Sequence, residues 1–256
     1  MSRLSGTVAL VTGASSGIGE ATALDLAAQG AAVSLVARRQ DRLEQLAERI
    51  RGAGGTALVI GGDEGDVVDP ARAGAAVEST VRELGRLDTL VNNAGVMLLG
   101  PALEAPLEEW QKMVSLNVTG LLQVTHAALP HLVAAAADSP REVADLVLIS
   151  SVAGRVARTG SGVYNATKFG VGAIGESLRQ ELSPKNVRVS LVEPGAVATE
   201  LGSHNRPEVR EGLEKRFADL ERLEAQDVAD AITYVVTRPR RVAVNEILIR
   251  PTDQVM

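Results

Sequence analysis

The sequence predicts a single α/β domain, residues 1–256, built on a doubly wound parallel sheet of about seven strands with helices on both faces. The first observation is a run of five apolar or β-branched residues, Val8–Thr12, followed by a glycine-rich turn and a helical segment. The second is that strand-length apolar runs alternate with helix-length segments along the chain. The third is that 256 residues without a linker, repeat or low-complexity run suit one domain with a sizeable core.

The turn after the first strand contains Gly13, Gly17 and Gly19 in a G-x-x-x-G-x-G pattern, and residues 20–29 continue as a helix that ends at Gly30. Such a turn presents unpaired backbone N–H groups and the positive end of a helix dipole. Without side chains at the three glycines, a diphosphate can approach the backbone closely. The alternative is an ordinary glycine-rich turn in an α/β protein.

Strands and helices alternate through the rest of the chain. Asp69 is a good N-cap and Pro70 suits the first position of a helix. Strands are predicted at residues 32–37, 56–60, 88–92, 146–150, 187–192 and 246–249, and helices at 41–50, 70–84, 106–126, 164–182 and 227–236. Two segments depart from this spacing, a glycine-rich acidic loop at 61–65 and a charged segment at 199–224. Because the second follows the carboxyl end of a strand, it is predicted to be a substrate lid.

Composition narrows the function classes. The net charge of −6 argues against nucleic acid or an anionic membrane as the main partner, and the absence of cysteine excludes disulfides and thiolate metal sites; no metal is expected. The first strand begins too early for a signal peptide. The longest apolar stretch, residues 127–137, is interrupted by Pro130 and His131 and is too short to cross a bilayer. A soluble cytoplasmic protein is therefore expected.

The residues at the end of the second strand indicate which dinucleotide would bind. NAD-binding proteins of this architecture have a carboxylate there, but this chain has Ala37 followed by Arg38 and Arg39. A guanidinium suits a phosphate by its charge and its fork of donors. We therefore expect NADP(H), with Arg38 as the main contact of the 2′-phosphate; the alternative is that both arginines are solvated.

Tyr164 and Lys168 are four residues apart on a predicted helix and so share a face. A neighbouring positive charge lowers the pKa of a phenol from about 10, which makes the pair a plausible general acid/base. Other polar residues follow strands at the same sheet edge, where ligands bind in open α/β sheets. These are Asn92 to Gly95, Ser150 and Ser151, and Pro194 with Gly195, while Asn117 interrupts a predicted helix.

Together these residues resemble the short-chain dehydrogenase/reductase family, in its single-domain form of about 250 residues. The resemblance extends over nearly the whole chain and is carried, in order and at family spacings, by Thr12 to Gly19 (TGASSGIG), Asp66-Val67, Asn92 to Gly95 (NNAG), Asn117, Ser151, Tyr164-x-x-x-Lys168 and Pro194-Gly195. It implies a Rossmann-type fold with a seven-stranded sheet and, commonly, a homotetramer; a dimer is the other assembly expected. The partners it implies are the cofactor and a small-molecule carbonyl or alcohol substrate.

The resemblance also implies roles for individual residues. Ser151 and Tyr164 would contact the substrate carbonyl, with Tyr164 donating the proton. Lys168 would hold the nicotinamide ribose and depress the pKa of the tyrosine, and Asn117 would hold a water that extends the proton relay. Asp66 and Val67 would meet the adenine, Asn93 the adenine-side ribose, Val197 the carboxamide and Thr199 a phosphate. The expected cofactor-binding positions are Gly13, Ser15, Ser16, Gly17, Ile18, Gly19, Arg38, Arg39, Asp66, Val67, Asn93, Ala94, Gly95, Tyr164, Lys168, Pro194, Gly195, Val197 and Thr199.

A closer resemblance is to the clavulanate-type dehydrogenases, which reduce clavaldehyde; it would place the chain in secondary metabolism. It is carried by residues 97–101 (MLLGP), 223–227 (LEAQD) and 246–254 (EILIRPTDQ). The expected activity is NADP(H)-dependent, reversible reduction of an aldehyde or ketone. Two alternatives stay open, a reductase of carrier-bound 3-oxoacyl groups or hydroxysteroids, and a non-catalytic NADP(H)-sensing binding protein. Arg155, Arg158 and Arg206 could form the basic entrance that a carrier-bound substrate requires, or could be solvated loop residues.

Overall fold

In the computed structural model, which describes residues 2–255, seven parallel strands form one sheet in the order β3-β2-β1-β4-β5-β6-β7. The strands are β1 Val8–Thr12, β2 Ala32–Val36, β3 Thr56–Ile60, β4 Thr89–Asn92, β5 Ala144–Ile149, β6 Val187–Pro194 and β7 Glu246–Ile249. The order reverses direction between β1 and β4, which opens a crevice beyond the carboxyl ends of these two strands. The predicted fold class is confirmed.

The described residues contain eight α-helices. They are α1 Gly17–Ala28, α2 Gln40–Gly52, α3 Pro70–Leu84, α4 Leu107–Val114, α5 Leu121–Asp138, α6 Gly162–Leu182, α7 Pro207–Arg216 and α8 Ala225–Val236. Residues of α1, α2 and α8 pack in one hydrophobic core on one face, and residues of α3, α5 and α6 pack in a second core on the other. The carboxylate of Asp69 accepts a hydrogen bond from Arg72 N, so the predicted cap of α3 is present.

The helix predicted at 106–126 is wrong in its continuity and in its C-terminal end. A π-helical turn, Ser115–Gly120, joins α4 to α5, and α5 continues to Asp138. The helical run Leu107–Asp138 is 32 residues long and apolar enough to cross a membrane by length and composition, which corrects the expectation drawn from residues 127–137 alone. In this fold α5 instead packs on α3, β4 and β5, and Leu121, Val124 and Leu132 are buried in the core.

A buried ion pair joins two strands at the end of the sheet remote from the crevice. Arg188 on β6 donates two hydrogen bonds to Asp145 on β5, at 2.7 and 3.0 Å, and both side chains are nearly inaccessible. The guanidinium also donates to the carbonyl oxygens of Val236 and Val242. These bonds connect the central strands to the segment that follows α8.

Candidate active site

One cavity of about 590 Å³ lies beyond the carboxyl ends of the strands, at the reversal between β1 and β4. It is lined by Ser151 and by every predicted cofactor-binding residue except Gly19. The sequence therefore identified residues from four strand ends that the fold brings to one cavity. Neither Gly19 nor Asn117 lines it.

The glycine turn is shaped by close contacts between backbones. A Cβ atom on Gly19 would lie 2.4 Å from the carbonyl oxygen of Gly13, and one on Gly13 would lie 2.9 Å from Cα of Ala94. Gly13 and Gly17 also have φ of 66° and 56°, which strongly favours glycine. Asn93 Nδ2 donates to the carbonyl oxygens of Thr12 and Gly13, at 3.0 and 3.3 Å. The side-chain amide of Asn93 thus stabilises the glycine turn. This role is different from the contact with the adenine-side ribose that the resemblance implies.

The far end of the cavity carries the predicted phosphate site. Arg38 is exposed and lines the cavity, and no other part of residues 2–255 makes a hydrogen bond or ion pair with its guanidinium. Arg39 instead donates to the hydroxyls of Ser15 and Ser16 and pairs with Glu200. Asp66 and Val67 line the cavity beside them, after the loop at 61–65, which forms a single 3₁₀ turn, Gly62–Gly65.

These features fit a phosphorylated dinucleotide. Gly13 and Gly17 line the cavity without side chains, which suits a diphosphate against their backbone, and the Arg38 guanidinium is available to a further phosphate. The cavity then continues to Tyr164 and Lys168. Held this way, NADP(H) would supply a nicotinamide at the end of the cavity that contains these two residues.

Tyr164 and Lys168, both on α6, are buried. Burial raises the pKa of the Tyr164 phenol to about 12, and a hydrogen bond with the Ser151 side chain offsets part of this rise. The expected depression of this pKa by Lys168 is therefore wrong for the protein alone. Burial lowers the pKa of Lys168 to about 8, and its Nζ donates to the carbonyl oxygen of Ile149 at 2.8 Å, 5.8 Å from the centroid of the tyrosine ring.

Asn117 lies beneath the cavity in the π-helical turn rather than on its wall. Its Oδ1 accepts from Val96 N at 2.8 Å, and its Nδ2 donates to the carbonyl oxygen of Val96 at 2.9 Å and to Thr167 Oγ1. The amide thus joins the segment after β4 to α6. Its part in a proton relay stays a prediction.

Sequence reasoning missed three residues that hold the site together. Asn165, beside the tyrosine, donates to the carbonyl oxygens of Ala153 and Val156 and accepts from Arg158 N. Asn205, in the predicted lid, accepts from Leu99 N and donates to the carbonyl oxygen of Met97. Gln254 accepts from Ala196 N at the end of β6. The sequence offered a sign of Asn165, because it is a polar residue next to Tyr164. No local pattern indicates Asn205 or Gln254.

The predicted lid is partly helical. It contains a 3₁₀ helix, Glu200–His204, and α7, and residues from both line the cavity. Two of the three arginines considered for a basic entrance form ion pairs with carboxylates. Arg155 pairs with the buried Glu193 and with Glu246, and Arg206 pairs with Glu109 and Glu208. Arg158 alone of the three lines the cavity.

Comparison with known proteins decides the family. Residues 7–210 match the family model described as short chain dehydrogenase. The chain belongs to the short-chain dehydrogenase/reductase family. This short-chain dehydrogenase/reductase is 35% identical over 257 residues to an uncharacterized oxidoreductase of Staphylococcus saprophyticus, with 99% of each chain covered. It is 40% identical over 253 residues to glycine betaine reductase of Emericella nidulans, of which it spans 19%. The family and these relatives identify it as an oxidoreductase enzyme.

Solved structures agree with this assignment. The closed form of serine dehydrogenase complexed with NADP⁺ superposes with a TM-score of 0.86 at 33% identity, over 98% of this short-chain dehydrogenase/reductase and 97% of that chain. A family member from Burkholderia phymatum, in complex with NAD, superposes with a TM-score of 0.83 at 26% identity, over 97% and 90%. Both nicotinamide cofactors thus occur among its structural neighbours.

Proposed function

We propose that this chain is an NADP(H)-dependent oxidoreductase that reversibly reduces an aldehyde or ketone, with Tyr164 as general acid/base. The observation that carries the proposal is the buried phenol of Tyr164, hydrogen-bonded to Ser151 and one helical turn from Lys168, on the wall of the cavity that the glycine turn and Arg38 also line. When bound, the nicotinamide supplies or accepts the hydride.

The three side chains have distinct parts in this proposal. Because burial raises its pKa to about 12, Tyr164 is a protonated phenol at neutral pH and is ready to donate to a carbonyl oxygen. Ser151 orients that oxygen by a second hydrogen bond. Lys168, with a pKa lowered to about 8, exchanges protons near neutral pH and restores the phenol after each turnover.

The test of the catalytic role is Tyr164→Phe, with Tyr234→Phe as the matched control because the chain has two tyrosines and Tyr234 is half exposed on α8. We expect Tyr164→Phe to lower kcat by about 10²–10⁴-fold, the usual contribution of a general acid, and to leave the Kd for NADPH within about twofold. Unchanged NADPH oxidation over a panel of carbonyls would contradict the assignment. Tight NADPH binding without any oxidation by the wild type would favour the dinucleotide-sensing alternative.

The preference for a phosphorylated cofactor is a separate part of the proposal. It is supported by the unpaired guanidinium of Arg38 and by the NADP⁺ bound in the serine dehydrogenase neighbour. We expect Arg38→Gln to raise the Kd for NADPH about tenfold or more and to leave that for NADH unchanged, since only the former carries the 2′-phosphate. Arg49→Gln, on the outer surface of α2, is the control. A wild-type preference for NADH would refute the part given to Arg38.

Assembly and location are expectations of the same proposal. Exposed apolar side chains on α4, α5 and α6 (Leu107, Val114, Leu122 and Phe169) support a homo-oligomer, for which the family suggests a tetramer or a dimer. Light scattering on the purified chain measures this directly, and a monomer at micromolar concentration would contradict it. A cytoplasmic location and a role in secondary metabolism stay predictions.

A further inference from the structure

The cavity is positively charged although the protein is acidic. Seven of the residues that line it are arginine or lysine and three are aspartate or glutamate, whereas the whole chain carries a net charge of −6. Three of the basic residues, Arg38, Arg39 and Lys168, are at predicted cofactor-binding positions. Arg158, Arg210, Arg216 and Arg222 lie outside the predicted cofactor positions and leave a positive charge that the cofactor does not explain.

Hydrogen bonds of its own backbone fix the position of Arg158. It lies in the loop between Ser151 and Tyr164, where its N–H donates to Asn165 Oδ1 at 3.2 Å and its carbonyl oxygen accepts from Ser161 Oγ at 2.9 Å. The same loop is tied to the segment after β4 by the bond from Gly100 N to the carbonyl oxygen of Gly160. The residue is thus anchored to the helix that carries the catalytic tyrosine.

Arg158 lines the cavity, but its guanidinium makes no ion pair with any described residue. It is partly buried, and across residues 2–255 no carboxylate, carbonyl or hydroxyl accepts a hydrogen bond from it. Partial burial, and then the positive charges of Arg216 and Arg250, lower its pKa. Glu214 is the acidic side chain that α7 contributes to the cavity wall, and it makes no ion pair with Arg158. Because arginine stays protonated in proteins, this loop and the lid together form a site that attracts an anion.

We propose that the substrate is a small oxoacid, or the matching hydroxyacid in the reverse direction, whose carboxylate pairs with Arg158 while its carbonyl meets Ser151 and Tyr164. Arg216, on α7 and 5.9 Å from the ring centroid of Phe217, adds a second positive charge from the lid. The carboxylate is unchanged in the reaction, in which the carbonyl carbon gains the hydride and its oxygen the tyrosine proton. The inference rests on the proposed function and specifies its substrate class.

Two of the three arginines considered for a carrier-bound substrate are already paired. Arg155 and Arg206 form ion pairs with glutamates, and neither lines the cavity. Arg158 does line the cavity, and its charge is unpaired. A fork of guanidinium donors matches the two oxygens of a carboxylate.

The test compares acids with their uncharged esters. NADPH oxidation is measured with 3-oxobutanoate, 4-oxobutanoate and 5-oxopentanoate, and with the methyl ester of each. For the best pair we expect the wild type to favour the acid by about tenfold or more in kcat/KM. Arg158→Gln should lower kcat/KM for that acid at least about tenfold and change the ester by less than about twofold, while Arg158→Lys should restore part of the loss. Equal use of acid and ester by the wild type would overturn the inference.

A control and a binding measurement separate this inference from the proposed function. Arg82→Gln, which makes the same charge change on the exposed surface of α3, should alter neither substrate. In addition, pentanoate and pentanamide are titrated into the NADP⁺-loaded protein, and we expect the anion to bind about tenfold more tightly in the wild type and equally in Arg158→Gln. If no carbonyl is reduced, the proposed function fails, and this titration still decides the anion site. Equal binding of pentanoate and pentanamide to the wild type would refute it.

Discussion

A carboxylate oxygen of Glu200 lies 2.7 Å from Nη1 of Arg39, and its other oxygen lies 2.7 Å from Nη1 of Arg42. The predicted lid segment, residues 199–224, is thereby joined to the residues that follow β2. Hydrogen bonds from the two arginines hold the pKa of Glu200 down to about 2, so the carboxylate is charged at neutral pH. Because Arg39 is also one of the positions proposed to bind the cofactor, we expect Glu200 and the cofactor to compete for its guanidinium.

Glu200→Gln should therefore strengthen NADPH binding. Removing the carboxylate leaves the charge of Arg39 to the 2′-phosphate, and since the pair is about two-fifths exposed we expect a modest gain of about two- to fivefold in affinity. NADH, which lacks that phosphate, should bind as before. Fluorescence titration of both cofactors measures this, with Glu211→Gln on α7 as the control from another surface pair. Weaker binding of NADPH by Glu200→Gln would show that Glu200 assists the cofactor instead.

The buried lysine predicts a pH dependence of stability. Its pKa is about 8 in the folded chain and 10.5 in the unfolded one, so between these values the unfolded chain binds the extra proton and the free energy of unfolding rises with pH. From pH 8 to 10 this contribution is on the order of 2 kcal/mol. Tyr164 acts in the opposite sense only between pH 10 and about 12, where the folded chain keeps the phenol proton.

Denaturant unfolding of the wild type and Lys168→Met at pH 7 to 10 checks this expectation. The variant should lack the rise, because methionine does not titrate. Lys185→Met, at an unburied position after α6, should follow the wild type. Parallel stability curves for the wild type and Lys168→Met over this range would contradict the assigned pKa.

Asn117→Leu should destabilise the fold by about 2–4 kcal/mol. The substitution leaves the N–H and the carbonyl oxygen of the buried Val96 without their side-chain partners, and each unpaired buried group costs about 1–3 kcal/mol. Urea unfolding measures the loss, and Gln111→Leu on the exposed side of α4 is the control. A loss under about 1 kcal/mol would show that water replaces the amide.

Arg188→Met should cost about 3–5 kcal/mol, because it leaves the buried carboxylate of Asp145 with only Arg141 as a charged partner. The double variant Arg188→Met/Asp145→Leu should recover part of this loss but not all of it, since the buried carboxylate is removed along with its partner while Arg141 loses its own. Unfolding in guanidinium chloride compares the three proteins. A double variant that is less stable than Arg188→Met would contradict this expectation. It would show that Asp145 stabilises the fold even without Arg188.

Local patterns were sufficient to predict the fold. The strands β1, β3 and β7 coincide with the predicted ranges, because each is an apolar or β-branched run bounded by turn residues or polar segments. Helix ends were less accurate. The sequence placed no glycine or other stop signal near His126, and the packing of α5 on α3 continues the helix to Asp138.

The chemistry of the site was predictable where it depended on spacing and not where it depended on distant contacts. Tyr164 and Lys168 needed only helical periodicity. The pKa of the phenol did not follow from that spacing, because burial by the surrounding fold raises it. Likewise Glu200 reaches Arg39 across 161 positions of sequence, and no local pattern indicates such a contact.

The long apolar run Leu107–Asp138 has a consequence for biosynthesis. Its covering partners come from both directions along the chain, with α3 and β4 made earlier and β5 and α6 made later. On the ribosome, this segment therefore emerges before its later partners are available to pack against it. Nascent chains that stall between Asp138 and Leu182 expose a helix with the length and hydropathy of a membrane span, the kind of surface that needs protection from aggregation.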